Sequence, residues 1–212
     1  MSTQIPARSR HENFVEGSIG LRDLFSRMRR IRVPAPWYAA LLIPPVLVLT
    51  VLFSMKTFVS PVFAPNRFFI GVGFGFVAGF FEEIGWMGYA FPKMRRADNA
   101  VAPAIALGLL WGAWHIPVID YLGTSTPHGA YWYPFFLAFT AAMTAMRVLV
   151  AQLLHASSTG SLVVFSPGRV TAAQESLWYA VYAAALWLVV AIVLATFGKR
   201  LTLPNDERAS RG

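Results

Sequence analysis

The sequence predicts an all-α protein: a polytopic transmembrane helical bundle of about six spans, preceded by an amphipathic helix at the membrane interface. Three observations predict it. Hydrophobic residues make up 56% of the 212 and charged residues only 13%, against roughly 25% charged in soluble domains. The long apolar runs are broken by short polar stretches and do not alternate with polar residues at the periods of amphipathic strands or helices. Arg and Lys gather at the chain ends and in one short loop, as the positive-inside rule requires. That distribution accounts for the net charge of +8 and the positive mean hydropathy of +0.53 together, and no nucleic-acid partner is expected.

Residues 1–36 form a basic arm. Within it, Leu21, Leu24, Phe25, Met28 and Ile31 fall near one helical face, and Arg22, Arg27, Arg29 and Arg30 fall mainly elsewhere. This is the pattern of a helix on an anionic leaflet, with a solvated basic arm as the alternative. Pro34 and Pro36 separate it from a transmembrane domain over 37–198, and a basic cytosolic tail covers 199–212. The first residues lack an apolar core with a small-residue cleavage site, so no removable signal peptide is expected. Spans are expected at about 37–55, 68–91, 101–119 and 176–197, each near the length a bilayer requires. The Gly-rich stretch from Gly71 to Phe80 has no lysine and no phosphate-loop spacing, and reads as helix packing.

Residues 131–165 could form one long tilted helix or two short spans meeting at Arg147. Charge favours two. The N-terminal arginines, Lys93, Arg95, Arg96, Arg147, Lys199 and Arg200 share one side only with six spans and both termini in the cytosol. Arg147 is then expected at an interface, its side chain reaching to the headgroups, and Trp37, Trp132 and Trp178 are expected as interfacial anchors.

The chain has no cysteine, which excludes disulfides, thiolate metal sites and a cysteine nucleophile. Ionisable groups at membrane depth are costly and read as functional candidates; here they are Glu82, Glu83, His115 and His155. At a helical rise of about 1.5 Å per residue, Glu83 lies about 18 Å from the face marked by Arg95, and His115 about 24 Å from that marked by Asn99. A span starting at Arg147 puts His155 about 12 Å in. A single helix entering at Tyr131 would carry His155 about 36 Å from the outer face, past a core about 30 Å thick. The bland readings are hydrogen-bonded packing histidines and carboxylates lining a wet crevice. His11 and His128 lie in polar stretches, and Ser157 and Ser158 have no nucleophile-elbow setting.

The stretches FFEEIGWMGYAFPKM, GLLWGAWHIP and AQLLHASSTGSL resemble, in order, the three signature segments of the CPBP family of intramembrane proteases, which includes the CAAX-processing proteases and bacterial Abi proteins. The likeness covers about residues 68–162, and GLRDLFSRMRRIRVPAPWY is similar to the amphipathic lead-in of bacterial members. The resemblance implies a polytopic cell-membrane protease acting on a membrane-associated protein or peptide. It maps Glu82 and Glu83 to the family's glutamate pair, and His115 and His155 to its histidines. Two positions depart. Met87 stands where the family has Arg, so Glu83 lacks that i,i+4 ion pair. Thr159 stands where the family has Asn or Asp, and the segment between Arg147 and Gln152 is shorter than usual.

On that reading Glu82, with His115, deprotonates a water, while His155, with Thr159 as a second candidate donor, stabilises the oxyanion. Glu83 orients the substrate or its neighbours. Glu82, His115 and His155 also match the ligands of a hydrolytic zinc site, and the sequence leaves both schemes open. Two other classes stay open: a member without turnover that serves as a membrane binding or immunity protein, and an ion or proton carrier using the same groups.

Overall fold

The computed structural model describes residues 42–67, 77, 79–94, 99–117, 129–153, 165–167 and 169–197. The expected interfacial helix, Trp37, His155, Thr159 and the basic tail lie outside the described residues.

Helix α1 (Ile43–Phe58) opens on prolines in its first turn, where a missing N–H costs nothing. It closes with the Val59 and Ser60 N–H groups both donating to the Met55 carbonyl. A 3-10 turn, Pro61–Phe63, leads into strand β1 (Pro65–Arg67). This strand pairs antiparallel with β2 (Phe165–Pro167), Asn66 standing opposite Ser166. The two-stranded ribbon is an addition to the all-α expectation; three residues per strand are too few to show a period-2 pattern.

Helix α2 covers 79–94 and contains a five-residue π turn, Trp86–Ala90, before its last turn, Phe91–Met94. Helix α3 (Val101–Trp114) is capped by Asn99, whose Oδ1 accepts the N–H groups of Val101 at 3.0 Å and Ala102 at 3.2 Å. Helix α4 is Trp132–Leu153. Helix α5 (Ala172–Phe197) starts with a capping box in which the Gln174 side chain accepts the Thr171 N–H and the Thr171 hydroxyl accepts the Gln174 N–H.

Among the described residues, two helices are long and apolar enough to cross a membrane, over Gly129–Ala151 and Ala172–Thr196, and α1 and α3 are shorter apolar helices. Phe53, Phe58, Leu109, Leu137, Leu188 and Ile192 point outward and exposed. An outer surface of that kind suits hydrocarbon better than water.

Helix α4 is the centre of the bundle, packed on α3 and on α5. The α3–α4 contact is antiparallel and close because α3 presents glycines at i and i+4. A β-carbon added at Gly108 would lie 2.5 Å from the Thr144 Cα, and one at Gly112 would lie 2.6 Å from the Thr140 Cγ2. Backbone cannot step aside as a side-chain tip can. Gly108→Ala is therefore expected to destabilise the protein by about 1–3 kcal/mol. Thermal unfolding in detergent checks this against Gly79→Ala, whose added carbon meets nothing within 4 Å; equal shifts in the two would refute it.

Helices α4 and α5 run parallel. Ser176 donates to the Tyr131 carbonyl at 3.2 Å, Tyr179 meets Phe135 edge to face at 5.0 Å, and the Trp187 indole donates to the Ala141 carbonyl at 3.0 Å, so partners advance together along both helices. Leu153 and Ala172 therefore lie at opposite ends of the bundle, about 33 Å apart by the rise of α4.

The expected break at Arg147 does not occur: α4 runs through it without interruption, and residues 142–151 are all buried. Arg147 is 2% exposed and sits in the interior, not at an interface. A lone cation in an apolar run ordinarily reaches for headgroups, but here an acidic partner on α2 meets it. Trp178 is likewise a core residue, 3% exposed and stacked on Tyr182 at 5.2 Å. Trp132, half-buried, stacks on Phe136.

Candidate active site

Three helices converge where α2 carries its glutamate pair. Glu82 is half-buried and Glu83 buried. From α3 come Trp111 and His115, one turn apart, and from α4 comes Arg147. Trp111 joins them. Its indole Nε1 donates to Glu82 Oε2 at 2.8 Å, its ring face carries the Arg147 guanidinium 4.0 Å from the centroid, and its backbone carbonyl lies 2.7 Å from His115 Nδ1.

The last contact fixes the histidine's chemistry. A carbonyl oxygen only accepts, so the bonded Nδ1 carries a proton and Nε2 is the nitrogen left for another partner. The ring is held edge-on against Trp111 at 5.1 Å and Phe139 at 5.4 Å. His115 thus presents a basic nitrogen from a fixed orientation.

Glu83 pairs with Arg147, its Oε1 accepting from Nη1 at 2.5 Å. Taking two charges out of water costs several kcal/mol each and is offset only by direct pairing and further partners. The indole face supplies one more for the guanidinium, worth about 2 kcal/mol where water is excluded. Glu83 Oε2 and the Nε and Nη2 of Arg147 have no hydrogen-bond partner among the described residues. They are an acceptor and donors that an interior water would satisfy.

The π turn begins at Trp86, three residues after Glu83, the Phe91 N–H reaching back to the Trp86 carbonyl. Such wide turns recur at functional sites. Met87 lies inside it, half-buried and packed against the core.

Of the residues expected from sequence, the structure gathers Glu82, Glu83 and His115, while His155 and Thr159 are outside the described residues. For the expected zinc set of Glu82, His115 and His155, the His115 ring fits a metal ligand, with Nδ1 anchored on a carbonyl and Nε2 open. No group of three or more potential metal-binding side chains occurs among the described residues. Trp111 and Arg147 were not expected in the site. The position of Trp111, one helical turn before His115, was the available signal for the first; for Arg147 it was a charge in the middle of an apolar run.

Trp111→Phe keeps the ring under Arg147 but removes the indole donor, leaving a Glu82 oxygen unpaired. A loss of about 1 kcal/mol of stability is expected from the lost hydrogen bond. Thermal unfolding of the purified variant checks it, and an unchanged unfolding temperature would mean that the indole N–H contributes nothing to holding Glu82.

One buried and one half-buried carboxylate stand beside an anchored histidine in a helical bundle with an apolar exterior, the setting of a membrane-embedded site. The chain belongs to the type II CAAX prenyl endopeptidase Rce1-like family, whose members are integral-membrane proteases: the family model matches residues 64–198, which contain both glutamates, His115 and Arg147. This bears out the resemblance read from the sequence. The chain is similar to CAAX prenyl protease 2 of Methanococcus maripaludis, 32% identical over 91 residues that cover 37% of this chain. It spans 32%, about a third, of that relative's length. No solved structure matches.

Proposed function

We propose that the protein is an intramembrane endopeptidase that hydrolyses a peptide bond of a membrane-associated substrate. The observation that carries this reading is the Trp111 bridge, which holds Glu82 by its indole N–H and His115 by its backbone carbonyl. Glu82, assisted by His115, takes a proton from water as the water oxygen bonds to the peptide carbonyl carbon. His155 and Thr159 donate to the resulting oxyanion. When the C–N bond breaks, the stored proton passes to the departing amine. A divalent metal such as zinc, held by Glu82, His115 and His155, would lower the pKa of a bound water to about 7 and polarise the carbonyl. Activity lost to chelator and regained with zinc would assign that role.

The same reading places the chain in the cell membrane as a multi-pass protein with both termini cytosolic. Two features support it. The parallel course of α4 and α5 puts the last residues of both at the same end of the bundle. It also brings the end of α5, followed by Lys199 and Arg200, to the end of the bundle that carries Lys93.

The relative's name makes a prenylated C-terminal peptide the first substrate to offer. Purified protein is expected to cleave a quenched farnesylated peptide faster than its unlipidated twin. A well-folded protein that cleaves neither, with and without zinc, would leave the second reading: a binding member without turnover. Met87 and Thr159, the two departures from the family pattern, favour that alternative.

A further inference from the structure

We propose that Arg147 is the positioning residue of the glutamate pair, supplying from α4 the cation that the family pattern places four residues after the second glutamate on α2. The inference rests on the protease reading. In this chain that place is Met87, an apolar side chain packed into the core, so α2 offers Glu83 no cation of its own at that spacing. Arg147 arrives instead from α4, donates to Glu83 and sits over the Trp111 ring, 4.0 Å from its centroid. The Trp111 indole holds Glu82 by its N–H and meets the His115 ring edge to face, while the Trp111 backbone carbonyl accepts from His115 Nδ1. One guanidinium therefore fixes Glu83 directly and Glu82 through the ring beneath it, the same ring against which His115 packs. A helix that is free of an internal ion pair can widen into the π turn at Trp86–Ala90 without breaking one, and the carboxylates take their alignment from the close α3–α4 contact. Removing Arg147 should misalign the reacting groups, and so lower kcat more than it raises KM.

The test uses the full chain in detergent with a quenched farnesylated peptide, reading kcat and KM for wild type, Arg147→Met, Arg147→Lys and Arg147→Met with Met87→Arg. Arg147→Met is expected to lose about a hundredfold in kcat, the scale of a small misplacement, with KM little changed. Restoring the cation at position 87 is expected to recover about a tenth of the wild-type kcat or more. Arg147→Lys should fall between, keeping charge but losing the flat guanidinium. An active wild type with an equally active Arg147→Met overturns the inference alone. So does an inactive Arg147→Met that Met87→Arg does not rescue. If Arg147→Met fails to fold, Met87→Arg must restore folding, and its failure to do so also overturns the inference. A wild type that cleaves nothing overturns the protease reading and this role with it.

Discussion

Glu82→Gln is expected to lower kcat for peptide cleavage by about a hundred- to ten-thousandfold, the range a positioned general base contributes, while the protein unfolds at nearly the wild-type temperature. The fold should tolerate the change because the amide oxygen of Gln can still accept the Trp111 indole N–H that Glu82 Oε2 accepts at 2.8 Å. What disappears is the capacity to take a proton. His115→Ala should cost a similar factor, since it removes the open Nε2 that the Nδ1 contact to the Trp111 carbonyl positions. If the two groups act as a unit, the double variant will be little slower than either single one. Kinetics on a quenched farnesylated peptide, paired with thermal unfolding, read both quantities. A folded Glu82→Gln protein that retains most of its kcat would take Glu82 out of the chemistry.

The second large effect is on stability. Arg147→Met leaves the Glu83 carboxylate buried with no cation among the described residues, and breaking one side of such a pair costs about 3–5 kcal/mol. Glu83→Gln, which strands the guanidinium instead, should also destabilise. Changing both removes both charges from the interior, and the double variant is expected to lie close to wild type, because replacing a whole buried pair by apolar or neutral groups is often neutral. Denaturation of the four proteins in one detergent gives the coupling as a double-mutant cycle. Strict additivity would mean that the 2.5 Å contact between Nη1 and Oε1 contributes nothing to the folded state.

Much of the fold was legible in the sequence because composition is local information. Lengths of apolar sequence predicted helices near 37–55, 101–119 and 176–197, and the described helices are Ile43–Phe58, Val101–Trp114 and Ala172–Phe197. Glu82, Glu83 and His115 could be selected because ionisable groups in apolar runs are rare for an energetic reason. Arg147 carried the same signal, yet its meaning depended on a partner 64 residues away. Viewed along the chain, a lone arginine between two apolar stretches marks a boundary; viewed in space, it is the counter-ion of Glu83. That misreading also placed the helix break, since a chain with no partner for Arg147 would have to bring it to water.

The sequence by itself determined that this protein is a membrane-type helical bundle with two glutamates and a histidine at depth, because hydrophobicity and charge cost are properties of each residue in its solvent. The tertiary structure alone decided that α4 runs unbroken beside a parallel α5, that Gly108 and Gly112 admit α4 to close contact, and that Trp111 and Arg147 complete the site. Those outcomes depend on which side chains meet across helices, and the distances that decide them arise only when α2, α3 and α4 pack together.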